Sequence, residues 1–512
     1  MPLERGQARY NSKRAAEHRQ GSFDPGKLGR VMRVQDAASF LLLEPLAFSD
    51  ELASPHGGRS ERERQNGGTL ADFAPYPYHQ RSGGLAASPT MRDGEILMHW
   101  PTALFIAAVV AATAVELWLA ARQVAAVEAH RDRIPEPFAG RLSEQDHRKA
   151  ADYTVAKVRV GNVGTVINTA LTLALTVGGG IAAIDTLWRH TRWAEPWLGL
   201  AVIATVAAVI GVVGLPLSLW RTFRVEARFG FNRTTPRTFL ADLGKGLALA
   251  AIIGGPLVLA VLTLMDRAGR WWWLAAFGCW LAVTLLITWA WPAFIAPLFN
   301  KFSPLQDASL KERIEALLAR CGFHSRGVFV IDGSRRSAHG NAYFTGIGRH
   351  KRIVFFDTLL SQLAASEIEA VLAHELGHFR LRHVRQRLLL SCAAMLAGFA
   401  LLGWLAGRPA FYRVLGVPTP SAHAALLLFA LVVPVALFLT TPLGSLWSRH
   451  HEFAADHFAA EHASARELAS ALVKLYRDNA STLTPDPLYT AFYYSHPPAL
   501  DRIARLTGPG PA

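Results

Sequence analysis

Seven stretches of this chain are almost continuously apolar, and its polar and basic residues fall between them instead of alternating with them. The stretches cover residues 101–121, 161–183, 197–220, 246–265, 271–291, 388–405 and 424–446. Each is close to the roughly 20 residues with which an α-helix crosses a hydrocarbon core. Trp100, Trp188, Trp220, Trp291 and Trp447 stand at their ends, where an amphipathic ring favours the membrane interface. One such run could be a buried helix of a soluble core. Seven with these flanks predict a polytopic, mainly α membrane protein.

Two other patterns interrupt the apolar runs. Residues 327–331, 341–345 and 352–356 are short, rich in β-branched and aromatic side chains and separated by Gly-containing breaks, which predicts a small β-meander. Ser366 followed by Glu369 reads as a capping box, and Ile368, Val371, Leu372 and Leu376 recur at helical spacing, so a helix is expected from near Glu367. Residues 1–95 have neither period. They are rich in Arg, Gly, Ser and Pro, with no apolar core adequate for a signal peptide, and read as a disordered extension or as residues preceding a start at Met91 or Met98.

Composition agrees with the membrane reading: 51% of the 512 residues are hydrophobic. The net charge of +14 changes the picture through its distribution. Residues 122–159, 221–245, 301–387 and the tail after Arg449 are rich in Lys and Arg, whereas the connections near Arg189, Arg267 and Arg408 are short and carry few. By the positive-inside rule the 301–387 loop and the C-terminus are expected in the cytoplasm. The basic charge then reports topology and anionic lipid; no nucleic-acid partner is expected. Cys279, Cys321 and Cys392 have no metal-ligand or redox-motif spacing.

Inside the helix expected from near Glu367 stands His374-Glu375-Leu376-Gly377-His378. Positions i and i+4 share a helix face, so His374 and His378 can ligate one zinc ion, and Glu375 is placed to take a proton from a water polarised by the metal. A catalytic zinc normally has three protein ligands. Just after the last apolar run, Glu452 and Asp456 share a helical face, which suits Glu452 as third ligand, with Asp456 receiving the outer N–H of a ligating histidine. His450, His451 and His457 are competing ligands. Asn341, Ala342 and Tyr343 form the expected edge strand, which could pair with an extended peptide substrate. Near the end, His496 and Arg502 are candidates for stabilising the oxyanion formed when a carbonyl is attacked.

Taken in order, several blocks resemble the type I CAAX prenyl endopeptidase family. They are Ile134-Pro-Glu-Pro-Phe, Lys149-Ala-Ala-Asp-Tyr, Glu226-Ala-Arg-Phe-Gly-Phe-Asn, Ile295-Ala-Pro-Leu-Phe-Asn-Lys-Phe, Asn341-Ala-Tyr-Phe-Thr-Gly, the zinc motif, Glu452-Phe-Ala-Ala-Asp and Ser495-His-Pro-Pro. The match covers most of residues 100–506, while the N-terminal extension and the pair His450-His451 depart from it. The resemblance implies a seven-helix barrel around a water-filled chamber, one zinc ion held by His374, His378 and Glu452, Glu375 as base and a polarising His496. The expected organisation is membrane helices over 98–300, a catalytic loop over 301–387, two further membrane helices over 388–447 and a C-terminal catalytic region over 448–512.

The expected activity is zinc-dependent hydrolysis of peptide bonds in membrane-associated proteins, either CAAX-type or misfolded, by a monomer. An HtpX-like quality-control protease has fewer spans, and a transporter would make the zinc motif incidental. The high Ala, Arg and Gly content suggests a bacterial inner membrane.

Overall fold

The computed structural model describes residues 100–323, 325, 327–345 and 352–508, and the expectation for residues 1–95 lies outside them. Among these described residues seven helices are long and apolar enough to cross a membrane: Trp100–Ala129, Glu144–Leu175, Trp197–Glu226, Pro236–Arg267, Gly269–Phe299, His383–Ala406 and Ala422–His462. In none is more than 28% of the apolar window buried inside the protein. Large apolar side chains such as Leu104, Val212, Ile252 and Leu439 are exposed, as suits helices whose outer surface meets lipid.

The second span starts earlier than the apolar run suggested. Ser143 caps it, accepting the Asp146 N–H at 3.1 Å, and its polar first half packs on protein, with Ala150 and Tyr153 buried beside Phe229 and Phe231. It stops at Leu175, because Gly179 takes φ +75° and a Cβ on Gly178 would meet the Ala174 carbonyl oxygen at 2.7 Å. Residues expected to complete the span instead form the separate helix Gly180–Arg189. Asp185 on that helix pairs with Arg189 at 2.8 Å and with the buried His423 at 2.9 Å, tying it to the start of the seventh span.

The seventh span outlasts its apolar run. After Ala422–Leu437 and one 3-10 turn, Phe438–Thr440, the chain re-enters helix at Thr441 and continues to His462. Pro434 removes a backbone donor before the turn, and the polar end persists because Ala455, Phe458 and Ala459 are buried. Glu452 and Asp456 therefore ride on the extension of a membrane helix.

The small sheet is not a meander. Four strands, β1 (Phe302–Pro304), β2 (Val328–Ile331), β3 (Ala342–Thr345) and β4 (Arg352–Phe356), lie in the order β1-β2-β4-β3. β4 inserts between the two strands that precede it, parallel to β2 (Val328 beside Ile353) and antiparallel to β3 (Ala342 beside Phe355). Burial explains the order: Ile353, Val354, Phe355 and Phe356 are all buried, a pattern only a central strand satisfies. β3 is left at one edge, as the sequence suggested, and β1, too short to be read from the sequence, forms the other.

The sheet shares a core with the helix Ala365–Arg380, hereafter the motif helix: Ile314, Ile353, Phe355, Leu372, Leu376 and Leu472 belong to one buried cluster. Arg336 anchors this unit to the membrane helices. It donates to Asp242 on the fourth span (3.1 Å), to Asn300 Oδ1 (2.6 Å) and to the Phe299 carbonyl. Removing one partner from such a buried pair costs on the order of 3–5 kcal/mol, so the attachment is firm.

Candidate active site

The motif helix begins at Ala365, and its cap differs from the expected one. The Glu367 carboxylate accepts the Ala364 N–H at 2.7 Å, and also Ser470 Oγ–H and Lys474 Nζ–H at 2.7 Å each. Ser366 donates instead to Glu467 at 2.6 Å, and Glu369 pairs with Arg313 and Arg320. The helix start is thus set by contacts with the helix Ala465–Asp478, about a hundred residues away in sequence.

Gly377 lets the motif helix approach the seventh span at backbone distance. A Cβ there would lie 3.1 Å from Ala455 Cα and 3.1 Å from Phe458 Cβ. Flanking this contact, His374 Nε2 and His378 Nε2 stand 3.3 Å apart, each 3.4 Å from one oxygen of Glu452. The three candidate metal-holding atoms lie within 4.8 Å of one another.

The outer nitrogens of both histidines are occupied. His374 Nδ1 is 2.8 Å from Asp456 Oδ1, and the Arg502 guanidinium holds Asp456 from behind through Nε at 2.8 Å and Nη2 at 2.5 Å. His378 Nδ1 is 3.1 Å from His383 Nδ1, and the His383 ring stacks on His451 at 3.9 Å with an interplanar angle of 4°. In the tautomers that donate Nδ1–H outward to these partners, two imidazole lone pairs and a carboxylate face one point. Glu452 Oε2 is buried there without a hydrogen-bond partner, so the donor set suits a divalent cation. In the metal-free chain, burial opposes charge on His374, but the Asp456 and Glu452 carboxylates outweigh it and raise its pKa to about 9.

Glu375 is half-buried beside His374. His496 Nε2 lies 3.5 Å from Glu452 Oε1. Its side chain opens into a cavity, yet the surrounding protein desolvates it and lowers its pKa, favouring the neutral ring. Arg502 joins the cluster, its fork engaged by Asp456 and its remaining Nη1 4.0 Å from Glu452. Asn341, Ala342 and Tyr343 fall at the β3 edge, where the Asn341 carbonyl accepts the Phe356 N–H. Of the competing ligands, His451 stacks on His383, His457 pairs with Glu461 at 3.2 Å, and neither these nor His450 belongs to the three-residue group.

His383 escaped the sequence reading. The helix breaks at Arg382, whose φ of +61° reverses the chain and returns His383 to the motif. A third histidine five residues after the motif was the available signal.

The cavity at His496 has a volume of about 1130 Å³. Glu116 and Gln123 of the first span, Lys157 and Asn168 of the second, Leu217 and Arg221 of the third and Tyr494, His496 and Arg502 of the C-terminal region line it, so the chamber leads from membrane helices to the candidate metal centre.

Seven spans, an inward cluster of two histidines and a glutamate on a His-Glu-x-x-His helix, and a chamber between them define an integral-membrane metallopeptidase. Residues 123–301 match the family described as CAAX prenyl protease N-terminal, five membrane helices, and residues 304–509 match peptidase family M48. The chain belongs to the CAAX prenyl protease 1 family within these peptidases. It is 34% identical to the CAAX prenyl protease 1 homolog of Arabidopsis thaliana, over 77% of this chain and 94% of the relative. Identity to the CAAX prenyl protease 1 of Saccharomyces cerevisiae is 32%, over 73% of this chain and 88% of that one. The crystal structure of S. mikatae Ste24p superposes with a TM-score of 0.72 at 30% identity, covering 79% of this chain and 98% of that chain. These relatives favour neither the HtpX-like nor the transporter reading. They are eukaryotic, which contradicts the bacterial membrane inferred from composition; an integral membrane location stands.

Proposed function

We propose that this chain is a zinc endopeptidase that binds its metal through His374, His378 and Glu452 and cleaves peptides near a prenylated C-terminal Cys-aliphatic-aliphatic-X sequence. The observation that carries the reading is the convergence of those three side chains within 4.8 Å. Zinc, when bound, supplies Lewis-acid polarisation of water and carbonyl. Glu375 accepts the proton of the attacking water and returns it to the leaving amine. His496, neutral and open to the cavity, donates a hydrogen bond to the developing oxyanion. Asp456, braced by Arg502, and His383 hold the rings of His374 and His378 in orientation. The β3 edge at Asn341, Ala342 and Tyr343 pairs with the substrate backbone and sets the scissile bond without reading side chains.

The prenylated substrate is carried over from the names of the relatives, which are CAAX prenyl proteases. Basic loops put the 301–387 region and the C-terminus on the cytoplasmic side, and one chain supplies every residue invoked, so a monomer suffices. The test is cleavage of a farnesylated Cys-aliphatic-aliphatic-X peptide by purified protein. Chelator-sensitive cleavage that requires the farnesyl group is expected; equal cleavage of the unmodified peptide would overturn the substrate assignment.

A further inference from the structure

The chamber carries an imbalance of charge that the hydrolytic machinery leaves unused. Lys157 of the second span and Arg221 of the third line the cavity, and among the described residues Glu116 is the one carboxylate that lines it. Glu116 accepts Thr165 Oγ1–H at 3.2 Å. The Lys157 ammonium sits 4.6 Å over the Tyr153 ring, whose hydroxyl donates to Glu226 at 2.8 Å. Among the described residues neither Lys157 nor Arg221 takes part in an ion pair, unlike Arg122, Arg131 and Arg502, which each grip a carboxylate. The Glu226 carboxylate acts on Lys157 from behind this ring without forming an ion pair with it, and cations lining a cavity attract anions into it.

We infer that Lys157 and Arg221 form an anion subsite that holds the free C-terminal carboxylate of the peptide substrate. The inference rests on the peptidase reading and deepens it. The same cavity is lined by His496 and Arg502 at the candidate metal centre, so a chain end held by these cations occupies the space that opens onto the reacting groups. Tyr489, Tyr493 and Tyr494 line the cavity as well and supply apolar ring surface for the residues between carboxylate and scissile bond. Anchoring the chain end measures cleavage from the C-terminus, which an edge strand pairing with backbone alone cannot do.

Binding without turnover tests this. Glu375→Gln protein in phosphatidylcholine nanodiscs is titrated with two farnesylated Cys-aliphatic-aliphatic-X peptides that differ only in ending as acid or amide. The acid is expected to bind about tenfold more tightly, as a charge-assisted contact provides. The ratio should fall to about one in Lys157→Gln/Arg221→Gln and persist in Lys157→Arg. Each ratio is internal to one preparation; if the double variant binds neither peptide, the single glutamine variants decide, each expected to lower the ratio partway. A ratio near one in the Glu375→Gln parent, or an undiminished ratio in the glutamine variants, overturns the subsite. Repeating the titration in phosphatidylglycerol nanodiscs separates the other source of anionic oxygen: peptide ends bound alike, with Lys157 and Arg221 needed only for an effect of the anionic lipid, would assign these residues to a headgroup and overturn the proposal. An intact ratio alongside failed peptide hydrolysis would count against the peptidase reading alone.

Discussion

Gly377 and Ala455 meet backbone to backbone: a Cβ on Gly377 would sit 3.1 Å from Ala455 Cα and 3.3 Å from its carbonyl oxygen. His374 and His378 flank Gly377 on one helix, and Glu452 lies one turn before Ala455 on the other. This crossing sets how closely the three side chains converge. Gly377→Ala pushes against backbone that cannot rotate away, at about 1–3 kcal/mol for such overpacking. The expected result is a folded protein with weakened zinc affinity and reduced turnover, read by metal competition. Unchanged affinity would mean that the helices separate without moving the site.

Glu452, Asp456 and His383 should separate by their effect on metal. Glu452→Ala removes a proposed ligand and should leave the purified protein without stoichiometric zinc. Asp456→Ala and His383→Ala remove only the partners of the outer ring nitrogens, 2.8 Å and 3.1 Å away, and should weaken binding about 10- to 100-fold. Full zinc content in Glu452→Ala would move the third ligand to another residue.

The metal-free site should hold a proton that zinc displaces. His374 has its pKa raised to about 9, so at pH 7 it is protonated in the apo-protein, and binding releases about one proton. Apparent affinity should therefore rise with pH up to about 9 and then lose this dependence. Calorimetry in buffers of differing ionisation enthalpy measures the release; none at pH 7 would show that His374 is already neutral.

Orientation can be read with reporters. A fusion after Leu506 should be cytoplasmic and one at Arg408 external, since alternate loops carry the basic charge. The reverse pattern would invert the topology.

What the sequence revealed follows from how local each signal is. A run of some twenty apolar residues needs no tertiary context to be recognised as a span, and the spacing of His374 and His378 places both on one face of any helix. The second span was displaced because its first turns are polar yet packed, with Tyr153 donating to Glu226 at 2.8 Å, a distant contact that composition does not register. The cap was misassigned because two glutamates near the helix start were equivalent in sequence; Ser470 and Lys474 select Glu367. Strand order was hidden for a related reason: residues 352–356 read as a third strand, but only their burial puts them in the middle. His383 was invisible because the reversal at Arg382 uses a left-handed conformation on a residue that does not advertise it.

The central claim is that Glu375 acts on water while His374, His378 and Glu452 hold zinc. Glu375→Gln keeps the shape of the side chain and removes its ability to accept a proton. Zinc content and farnesylated-peptide cleavage measured on the same preparation should give one zinc per chain and a rate lower by about 10²- to 10⁴-fold. Stoichiometric zinc with undiminished cleavage, or loss of zinc together with cleavage, would contradict the account.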